Sequence, residues 1–370
     1  MTETRPLSPG AVIGILGGGQ LGRMLAVAAA RLGLKTHVYS PDPQSCAFQV
    51  VERHTVAEYG DEAALDRFAQ EVDVITYEFE NVPAATATFL AARCPVLPDP
   101  AVLATTQDRL AEKEFVTGLG IATAPFARVD SEPELDRAIA KIGRPAVLKT
   151  RRFGYDGKGQ ATIRNAADIS TAWRRIGGRP AILEAFVDFE REVSVVAARE
   201  RSGRIECFDV TENEHRDHIL KISRVPALVS PAMADAAQAI AETIARAFDY
   251  VGVLAVEMFV PRAAGDDTPV LVNEIAPRVH NSGHWTLDGA SVSQFEQHIR
   301  AIAGLPLGKP VRRGRIEMIN LLGNEVDEYV RWLAEPNAKV HIYGKGSARP
   351  GRKMGHVTCV SPDPASAGHG

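Results

Sequence analysis

Two glutamates lie in the middle of two neighbouring apolar runs of this 370-residue chain. Glu257 is in the run 253–260 and Glu274 is in the run 270–275, and a turn rich in Gly and Asp separates them. Both are equidistant from that turn, so a simple hairpin places them opposite each other, with Cβ atoms roughly 5 Å apart. Facing carboxylates in an apolar sheet repel each other unless a cation joins them. Two hard oxygen ligands without His or Cys favour Mg²⁺, whereas two solvated glutamates or another register are the alternatives.

A second chemical feature is the segment 151–160, RRFGYDGKGQ, which has three glycines and four charged residues. Short, β-prone apolar runs flank it, so we predict a loop between two antiparallel strands. Glycines let backbone N–H groups approach a phosphate closely, and Lys149, Arg151, Arg152 and Lys158 add positive charge. The pattern indicates a loop over an anion, with an ordinary solvated hairpin as the alternative.

The start of the chain has the pattern of a strand, a glycine turn and a helix. The apolar run 11–16 leads into GGGQLG at 17–22 and then into an Ala- and Leu-rich stretch at 23–32. The glycines follow the G-x-G-x-x-G spacing of a dinucleotide fingerprint, which aims a helix N-terminus at a phosphate. Ser40 stands where the acid of that fingerprint is expected, and this argues against NAD.

Two more acids follow another apolar run, at 72–77. Ligands gather beyond the carboxyl ends of parallel strands, so we expect Glu78 to face the same crevice as the glycine turn. The alternative for Glu78 and Glu80 is a pair of charges at the N-terminus of a helix that begins near Pro83. We favour this alternative for Glu80.

A polar segment at 277–284 continues directly from the second glutamate strand. Its proline and glycine argue against a helix, so His280 and His284 are not expected to form a helical zinc pair. Arg278 is a natural anion clamp beside a metal strand, with a surface cation as the alternative. Strand alternation predicts that Asn273 points to the face opposite the neighbouring glutamate.

The C-terminal part of the chain combines strand patterns with a basic loop. The runs 311–322 and 339–344 are predicted strands of a small closing unit. Lys345, Arg352 and Lys353 cluster among glycines, which suits a phosphate site as well as it suits a solvated turn.

The remaining elements follow from periodicity and capping signals. Helices are predicted from Ser131 to Gly143, from Asn165 to Gly177 and at 233–248, and strands at 181–186 and 192–198. The glycine-rich loop then belongs to a small α+β unit, and the length of the chain favours two or three domains.

Composition excludes several classes of protein. The chain has 45% hydrophobic and 24% charged residues and a net charge of −4, so neither nucleic acid nor an anionic membrane is expected as a partner. The four cysteines form no C-x-x-C pair, which argues against a zinc or redox site. No apolar stretch is long enough to span a bilayer and no signal peptide is recognisable, so a cytoplasmic location is the default expectation.

Several motifs, taken in order, resemble the ATP-grasp superfamily and, within it, the 5-(carboxyamino)imidazole ribonucleotide synthetase family. They are GGGQLGRM at 17–24, YEFENVP at 77–83, QDR at 107–109, GYDGKGQ at 154–160, NEIAPRVHNSGH at 273–284 and KMGH at 353–356. The resemblance implies an α/β and α+β multidomain protein with an ATP-grasp fold, an N-terminal Rossmann-like parallel sheet domain and a small C-terminal β unit. We expect an N-terminal domain at 1–105, a lid subdomain at 106–190, a large subdomain with the metal site at 191–310, a β unit at 311–362 and a disordered tail at 363–370.

The resemblance also implies a reaction. ATP, bicarbonate and 5-aminoimidazole ribonucleotide would give 5-(carboxyamino)imidazole ribonucleotide, ADP and phosphate through carboxyphosphate, in de novo purine biosynthesis. The cofactors would be ATP and Mg²⁺, and the protein would be a homodimer.

The family motifs assign residues to this reaction position by position. ATP would be held by Arg109, Lys149, Gly154, Tyr155, Asp156, Gly157, Lys158, Gly159, Gln160, Glu184, Val187, Glu192, His215, Asn273 and Glu274, and Mg²⁺ by Glu257 and Glu274. The ribonucleotide would be held by Gln20, Leu21, Glu78, Asn281, Lys345, Arg352 and Lys353. Arg278, His280 and Asp156 would be catalytic.

Three other functions stay open at this point. Another ATP-grasp ligase, such as the formate-dependent glycinamide ribonucleotide transformylase, would share the scaffold. An NAD-dependent dehydrogenase would use the glycine turn, and a non-catalytic nucleotide sensor would bind ATP without turnover.

Overall fold

The N-terminal domain is a parallel sheet, as predicted. The computed structural model describes residues 5–154, 158–262 and 269–363. Its first elements are β1 (Val12–Leu16), α1 (Gln20–Arg31), β2 (Lys35–Ser40), β3 (Arg53–Val56), α2 (Glu62–Gln70), β4 (Val74–Tyr77) and α3 (Ala84–Ala91). The strand order is β3-β2-β1-β4, and all three pairings are parallel. The carboxyl ends of β1 and β4 therefore bring the glycine turn and Glu78 to one edge of the sheet.

A small antiparallel sheet forms the second unit. Two helices, α4 (Pro100–Thr106) and α5 (Arg109–Gly118), lead into β5 (Phe126–Val129), α6 (Glu132–Ile142), β6 (Ala146–Thr150), β7 (Gln160–Ile163), α7 (Ile169–Arg175) and β8 (Ala181–Ala185). The strand order is β5-β8-β6-β7. The pairing of β6 with β7 is antiparallel, which confirms the hairpin predicted around the glycine-rich loop.

The helix predicted from Ser131 to Gly143 is confirmed, whereas the one predicted from Asn165 to Gly177 consists of a 3₁₀ turn, Ala166–Asp168, followed by α7. α6 begins after Ser131, although the Ser131 side chain makes no capping hydrogen bond, and it ends at Gly143 with φ +89°. Before α7, the Asn165 side chain accepts from the Ala167 N–H while the Asp168 carboxylate accepts from the Asn165 N–H. Such reciprocal caps satisfy backbone donors that the first turn of a helix leaves unpaired.

The third unit is a nine-stranded antiparallel sheet. It contains β9 (Phe189–Arg199), β10 (Ile205–Cys207), β11 (Thr211–Arg216), β12 (Ile219–Val225), β13 (Gly252–Pro261), β14 (Leu271–Ala276), β15 (Arg315–Leu322), β16 (Ala338–Ile342) and β17 (Lys353–Ser361). The helices α8 (Pro231–Ala247), α9 (Thr286–Gly289), α10 (Gln294–Ile302) and α11 (Tyr329–Leu333) accompany it. The order is β14-β13-β9-β11-β12-β15-β17-β16, with β10 on β9. The C-terminal strands thus form no separate sheet, because β15 pairs with β12.

One hydrophobic core joins the N-terminal domain to the large sheet. It contains Ile13 of β1 and Leu25 of α1 together with Val253 of β13 and Ile299 of α10, all fully buried. A shared core fixes the two sheets relative to each other, since separating them would expose apolar surface. The four cysteines are free thiols, and no helix among the described residues is long and apolar enough to cross a membrane.

Candidate active site

Glu257 and Glu274 are direct cross-strand partners on β13 and β14, which confirms the predicted register. Each carboxylate is paired with a different nitrogen donor: Glu257 Oε1 lies 2.8 Å from His280 Nε2, and Glu274 Oε2 lies 2.9 Å from a guanidinium nitrogen of Arg109. Burial opposes ionisation of Glu257, but the interaction with His280, followed by the charges of His215 and Lys353, outweighs it and lowers its pKa to about 2. The two carboxylates are therefore held together without mutual repulsion.

A β-bulge lies beside these glutamates. Glu257 pairs with Glu274 while the next residue, Met258, pairs with Val272, so Asn273 is an extra residue without a partner on β13. We expected Asn273 to point away from the neighbouring glutamate because side chains alternate between the two faces of a strand. A bulge interrupts this alternation. Its buried Oδ1 accepts no hydrogen bond in the described part of the chain.

The lid side of the site is rich in buried charge. The carboxylate of Glu184 on β8 accepts from Lys149 Nζ of β6 at 2.9 Å and lies 3.8 Å from Lys113 Nζ of α5. Burial opposes ionisation of Glu184, but Lys149 and Lys113 outweigh it and lower its pKa to about 2. Two ammonium groups thus share one carboxylate, which leaves positive charge for an anionic ligand.

The N-terminus of α5 is tied to the glycine-rich loop. Asp108 caps the helix and binds Arg151 through both carboxylate oxygens, at 2.9 and 2.6 Å. Arg109 donates to the Gly154 carbonyl at 3.1 Å as well as to Glu274. The helix, the loop and the second glutamate strand therefore meet at one arginine.

Part of that loop lies outside the described residues, namely Tyr155, Asp156 and Gly157. Lys158 is exposed, and Gln160 begins β7 opposite Lys149. Gly159 has φ +71°, and a Cβ there would lie 2.6 Å from Thr150 Oγ1, so this position requires glycine.

Sequence reasoning missed Glu112 and Lys113, which follow Arg109 on α5. Lys113 Nζ donates to the Val272 carbonyl at 3.0 Å, and Glu112 accepts from the Ile275 N–H at 3.0 Å. Burial, followed by the charge of the nearby Glu274, raises the pKa of Glu112 to about 8. The pair holds β14 on both sides of the bulge. The sequence contained a sign of this burial, because Lys113 has the helical spacing of the buried residues Leu110 and Val116 and so lies on the apolar face of α5.

Glu192 and His215, which only the family resemblance singles out, are neighbours across β9 and β11. Their closest side-chain atoms are 2.5 Å apart. Burial works against protonation of His215, but the hydrogen bond and charge of Glu192 outweigh it and raise its pKa. Val187, half-buried, lies between β8 and β9.

In the N-terminal domain, Glu78 binds the glycine turn itself. Its Oε1 accepts from the Gly19 N–H at 2.9 Å and its Oε2 from the Gly22 N–H at 3.2 Å. Burial raises the pKa of Glu78 against these two hydrogen bonds. The carboxylate fills the helix N-terminus where a dinucleotide fingerprint would place a phosphate, which further disfavours NAD. Gln20 and Leu21 begin α1 beside it, half-buried and buried respectively.

The interpretation of Glu80 as a helix N-terminal charge is wrong. Glu80 forms an ion pair with Arg278, and the first turn of α3 contains no acid. The negative charges of Glu78 and Glu274 also help to raise the pKa of Arg278. This arginine therefore links the N-terminal domain to the glutamate strands, because a buried cation needs anionic partners.

The segment after Arg278 contains one short 3₁₀ turn, Asn281–Gly283, and no α-helix between the two histidines, as predicted. His280 caps this turn, whereas His284 is buried against Gln294 at 3.2 Å. The Asn281 amide exchanges hydrogen bonds with that of Asn320, at 3.0 and 2.6 Å. Asn281 is thus buried and joined to β15.

The basic C-terminal loop reaches both parts of the site. Gly344 accepts from the Gln49 amide at 2.8 Å, and Lys345 Nζ donates to the Lys353 carbonyl at 2.8 Å, while Arg352 donates to Ser347. Burial lowers the pKa of Lys345 to about 8, and the charges that act on Lys345 include that of Glu78. The positive charge of Lys353 acts to lower the pKa of both Glu257 and His215. The loop therefore lies between the glycine turn and the paired glutamates.

Comparison with known families covers almost the whole chain. The ribonucleotide synthetase preATP-grasp domain matches residues 11–107, and the ATP-grasp domain matches residues 114–295. The phosphoribosylaminoimidazole carboxylase C-terminal domain matches residues 317–369. These matches confirm the predicted ATP-grasp fold.

Relatives and solved structures agree with these matches. The N5-carboxyaminoimidazole ribonucleotide synthase of Brucella melitensis biotype 1 is 52% identical over 358 residues, which cover 96% of this chain and 98% of the relative. The ADP complex of an N5-carboxyaminoimidazole ribonucleotide synthetase superposes with a TM-score of 0.93 at 40% identity, covering 98% of this chain and 96% of the other. The Aspergillus clavatus synthase in complex with ADP and 5-aminoimidazole ribonucleotide superposes with a TM-score of 0.89 at 32% identity, covering 97% and 96%. The chain therefore belongs to the N5-carboxyaminoimidazole ribonucleotide synthase family of ATP-dependent ligases.

Proposed function

We propose that this chain uses ATP to phosphorylate bicarbonate and then carboxylates the amine of 5-aminoimidazole ribonucleotide. The products are N5-carboxyaminoimidazole ribonucleotide, ADP and phosphate. Bicarbonate is a poor electrophile, and carboxyphosphate gives it a phosphate leaving group. The observation that carries the proposal is the facing pair Glu257 and Glu274, which lies between the lysine-rich lid side and the Arg278–His280 segment.

ATP is proposed to bind over the lid side of these glutamates. Lys149, Lys113 and Arg109 supply the positive charge that phosphate oxygens need, and Glu184 balances only part of it. Family motifs add Glu192, His215, Val187 and the glycine-rich loop. Positioning and charge neutralisation then account for most of the catalysis of phosphoryl transfer.

The residues present fit a Mg²⁺ ion. Two facing carboxylates are hard oxygen ligands, and the unpartnered Oδ1 of Asn273 lies next to one of them in sequence. No group of three or more His, Cys, Asp and Glu side chains suited to a metal occurs in the described ranges, so nucleotide phosphates and water would complete the shell. When bound, Mg²⁺ would neutralise charge on the transferring phosphate.

Carboxyl transfer is proposed to take place beside Arg278 and His280. Both lie next to the glutamates and would hold the carbonate oxygens, whereas Asp156, which lies outside the described residues, would reach the ribonucleotide. The amine nitrogen forms a bond to the carboxyl carbon while the bond from that carbon to the phosphate oxygen breaks. The departing phosphate takes the amine proton.

The ribonucleotide is proposed to bind between the glycine turn and the basic C-terminal loop. Lys345, Arg352 and Lys353 suit its phosphate, because they are cations of one loop. Gln20, Leu21, Glu78 and Asn281 would complete its site. Leu21, a core residue, can offer only its backbone.

The experiment is to measure ADP release by the purified chain with aminoimidazole ribonucleotide, in the presence and absence of bicarbonate and with formate instead. Turnover that requires bicarbonate, with formation of the carboxylated product, supports the proposal. Turnover that requires formate would instead favour the transformylase. ATP binding without hydrolysis under any of these conditions would favour a nucleotide sensor.

Two further proposals concern assembly and location, the first resting on the family resemblance and the second on the default expectation from the sequence. We propose a homodimer, which sedimentation at micromolar concentration would test against a monomer. We also propose a cytoplasmic location, which fractionation of the source cells would test.

A further inference from the structure

A buried row of polar side chains leads from β12 to His280. It consists of Ser223 on β12, Asn213 on β11, Ser194 on β9 and Ser282 in the 3₁₀ turn. The three serines are fully buried, and Asn213 is 7% exposed. Such groups remain in an apolar sheet only when each finds a hydrogen-bond partner.

Each member contacts the next at hydrogen-bonding distance. Ser223 Oγ lies 2.8 Å from Asn213 Oδ1, and Asn213 Nδ2 lies 2.9 Å from Ser194 Oγ. Ser194 Oγ lies 2.7 Å from Ser282 Oγ, which in turn lies 2.9 Å from His280 Nδ1. The row therefore ends on one nitrogen of the imidazole.

The direction of the hydrogen bonds in this row is determined by two groups, one of which can only donate and the other only accept. The backbone N–H of Ser282 can only donate, and it donates to His280 Nδ1 at 3.3 Å, so Nδ1 carries no proton. On the other side of the ring, the carboxylate of Glu257 lies 2.8 Å from Nε2 and can only accept when ionised, so Nε2 carries the proton. The Ser282 N–H and the Glu257 carboxylate therefore specify the same tautomer of His280, with its hydrogen on Nε2.

The remaining hydrogens follow from that choice. Ser282 Oγ–H donates to Nδ1, so the Ser282 oxygen accepts from Ser194 Oγ–H. The Ser194 oxygen then accepts from the Asn213 amide, whose carbonyl accepts from Ser223 Oγ–H. Every hydroxyl in the row points towards His280, and hydrogen bonds aligned in one direction reinforce one another.

We propose that Ser282, Ser194, Asn213 and Ser223 are positioning residues that hold the imidazole ring of His280, in its Nε2–H tautomer, beside Glu257. His280 then presents a hydrogen-bond donor to Glu257 and to the carbonate beside it, and it has no free nitrogen with which to accept a proton. This role rests on the proposed function, in which His280 steadies the carbonate, and it assigns the amine proton to the departing phosphate.

The tautomer is tested by ¹⁵N NMR of the full chain labelled in its histidines, without substrates, with the His280 signals identified by their loss in His280→Asn. We expect a hydrogen on Nε2 and none on Nδ1. A hydrogen on Nδ1 in the wild-type chain would overturn the proposal whatever the variants do. Since no substrate is present, this result is independent of whether the chain carboxylates the ribonucleotide.

Asn213→Asp tests the direction of the row. An ionised carboxylate of the same shape only accepts, so Ser194 turns its hydroxyl towards it and Ser282 no longer donates to Nδ1. We expect the ¹⁵N chemical shift of His280 Nδ1 to change as it loses this hydrogen bond and kcat to fall about 10- to 100-fold, with the KM for ATP little changed. Asn324→Asp, at an exposed position, is the matched control for added charge.

Ser194→Ala interrupts the row without adding charge. It tests whether the row positions His280 even if Asn213→Asp does not fold. For Ser194→Ala we expect a change in the His280 Nδ1 signal and a fall in kcat, each smaller than in Asn213→Asp. If a folded variant keeps both the wild-type Nδ1 chemical shift and the wild-type kcat, the row does not position His280. If the tautomer is as inferred but no carboxylated product forms, the proposed function fails and the role of the row stands.

Discussion

Glu257 and Glu274 face each other on adjacent strands, and each is bound by a nitrogen donor from a different part of the chain. His280 belongs to the segment that follows β14, whereas Arg109 comes from α5, 165 residues before Glu274. Facing carboxylates in a sheet repel, and these two contacts offset the repulsion before any metal or nucleotide binds. They also bring the proposed metal ligands into contact with one residue proposed for ATP, Arg109, and one proposed for the carbonate, His280.

Glu274→Gln should abolish most Mg²⁺-dependent turnover. The change removes the charge of one proposed ligand and little volume, so we expect kcat to fall by about two orders of magnitude or more while the chain stays folded. ADP release at varied Mg²⁺ concentration, together with circular dichroism, provides the measurement. Glu242→Gln, which breaks the Glu242–Arg246 pair on the surface of α8, is the matched control. Wild-type turnover in Glu274→Gln would refute the metal assignment.

Glu78→Gln should destabilise the N-terminal domain. An amide places an N–H donor against one of the two backbone N–H groups that the carboxylate now accepts from, so we expect a loss of about 1–3 kcal/mol in the free energy of unfolding. The KM for the ribonucleotide should rise as the glycine turn shifts. Denaturant unfolding and steady-state kinetics measure the two effects, and Glu62→Gln on the exposed face of α2 is the control. Unchanged stability would mean that the Glu78 contacts with Gly19 and Gly22 contribute little.

His298→Phe should uncouple ATP hydrolysis from carboxylation. His298 Nδ1 accepts from the Val253 N–H at 3.1 Å, and Nε2 lies 2.8 Å from Thr76 Oγ1, so this buried side chain links β13 to β4. Burial lowers its pKa to about 3, and it stays neutral above that pH. Losing both contacts loosens the N-terminal domain from the glutamate strands at a cost of about 1–3 kcal/mol, because the Val253 N–H is left unpaired.

The readout for His298→Phe is the amount of ADP formed per carboxylated product, which we expect to rise. Thr76→Val removes only one of the two contacts and should have a smaller effect of the same sign. A variant that is destabilised but keeps the wild-type ratio would show that His298 is structural only.

The affinity for the ribonucleotide should fall as the pH rises through about 8, owing to Lys345. Burial lowers the pKa of Lys345 to about 8, so its ammonium group is charged below this pH and neutral above it. Arg352, Lys353, Cys46 and Glu78 are the titratable groups that act on it. Because a phosphate is attracted by the charged form, kcat/KM for the ribonucleotide should decline above pH 8 while that for ATP does not.

Lys345→Arg is the matched variant for this pH dependence, since a guanidinium keeps its charge over the whole range. Its kcat/KM profile for the ribonucleotide should stay flat where that of the wild type declines. Parallel declines in both proteins would assign the effect to another group.

Much of the architecture was predictable from local sequence. Strand and helix periods, the glycine turn, the hairpin at 151–160 and the register of Glu257 with Glu274 each depend on residues close together in the chain, where spacing determines geometry. Long motifs in a fixed order then identified the family, and with it the fold and the reaction class.

Tertiary structure alone decided which charges meet. Glu80 with Arg278, Lys113 with Glu184 and Thr76 with His298 are separated by 198, 71 and 222 residues, if the numbers along the chain are subtracted. A distance in sequence of this size carries no information about distance in space. The bulge at Asn273 and the direction of the hydrogen bonds that end on His280 also depend on how several strands pack, because Ser223, Asn213 and Ser194 lie on three different strands.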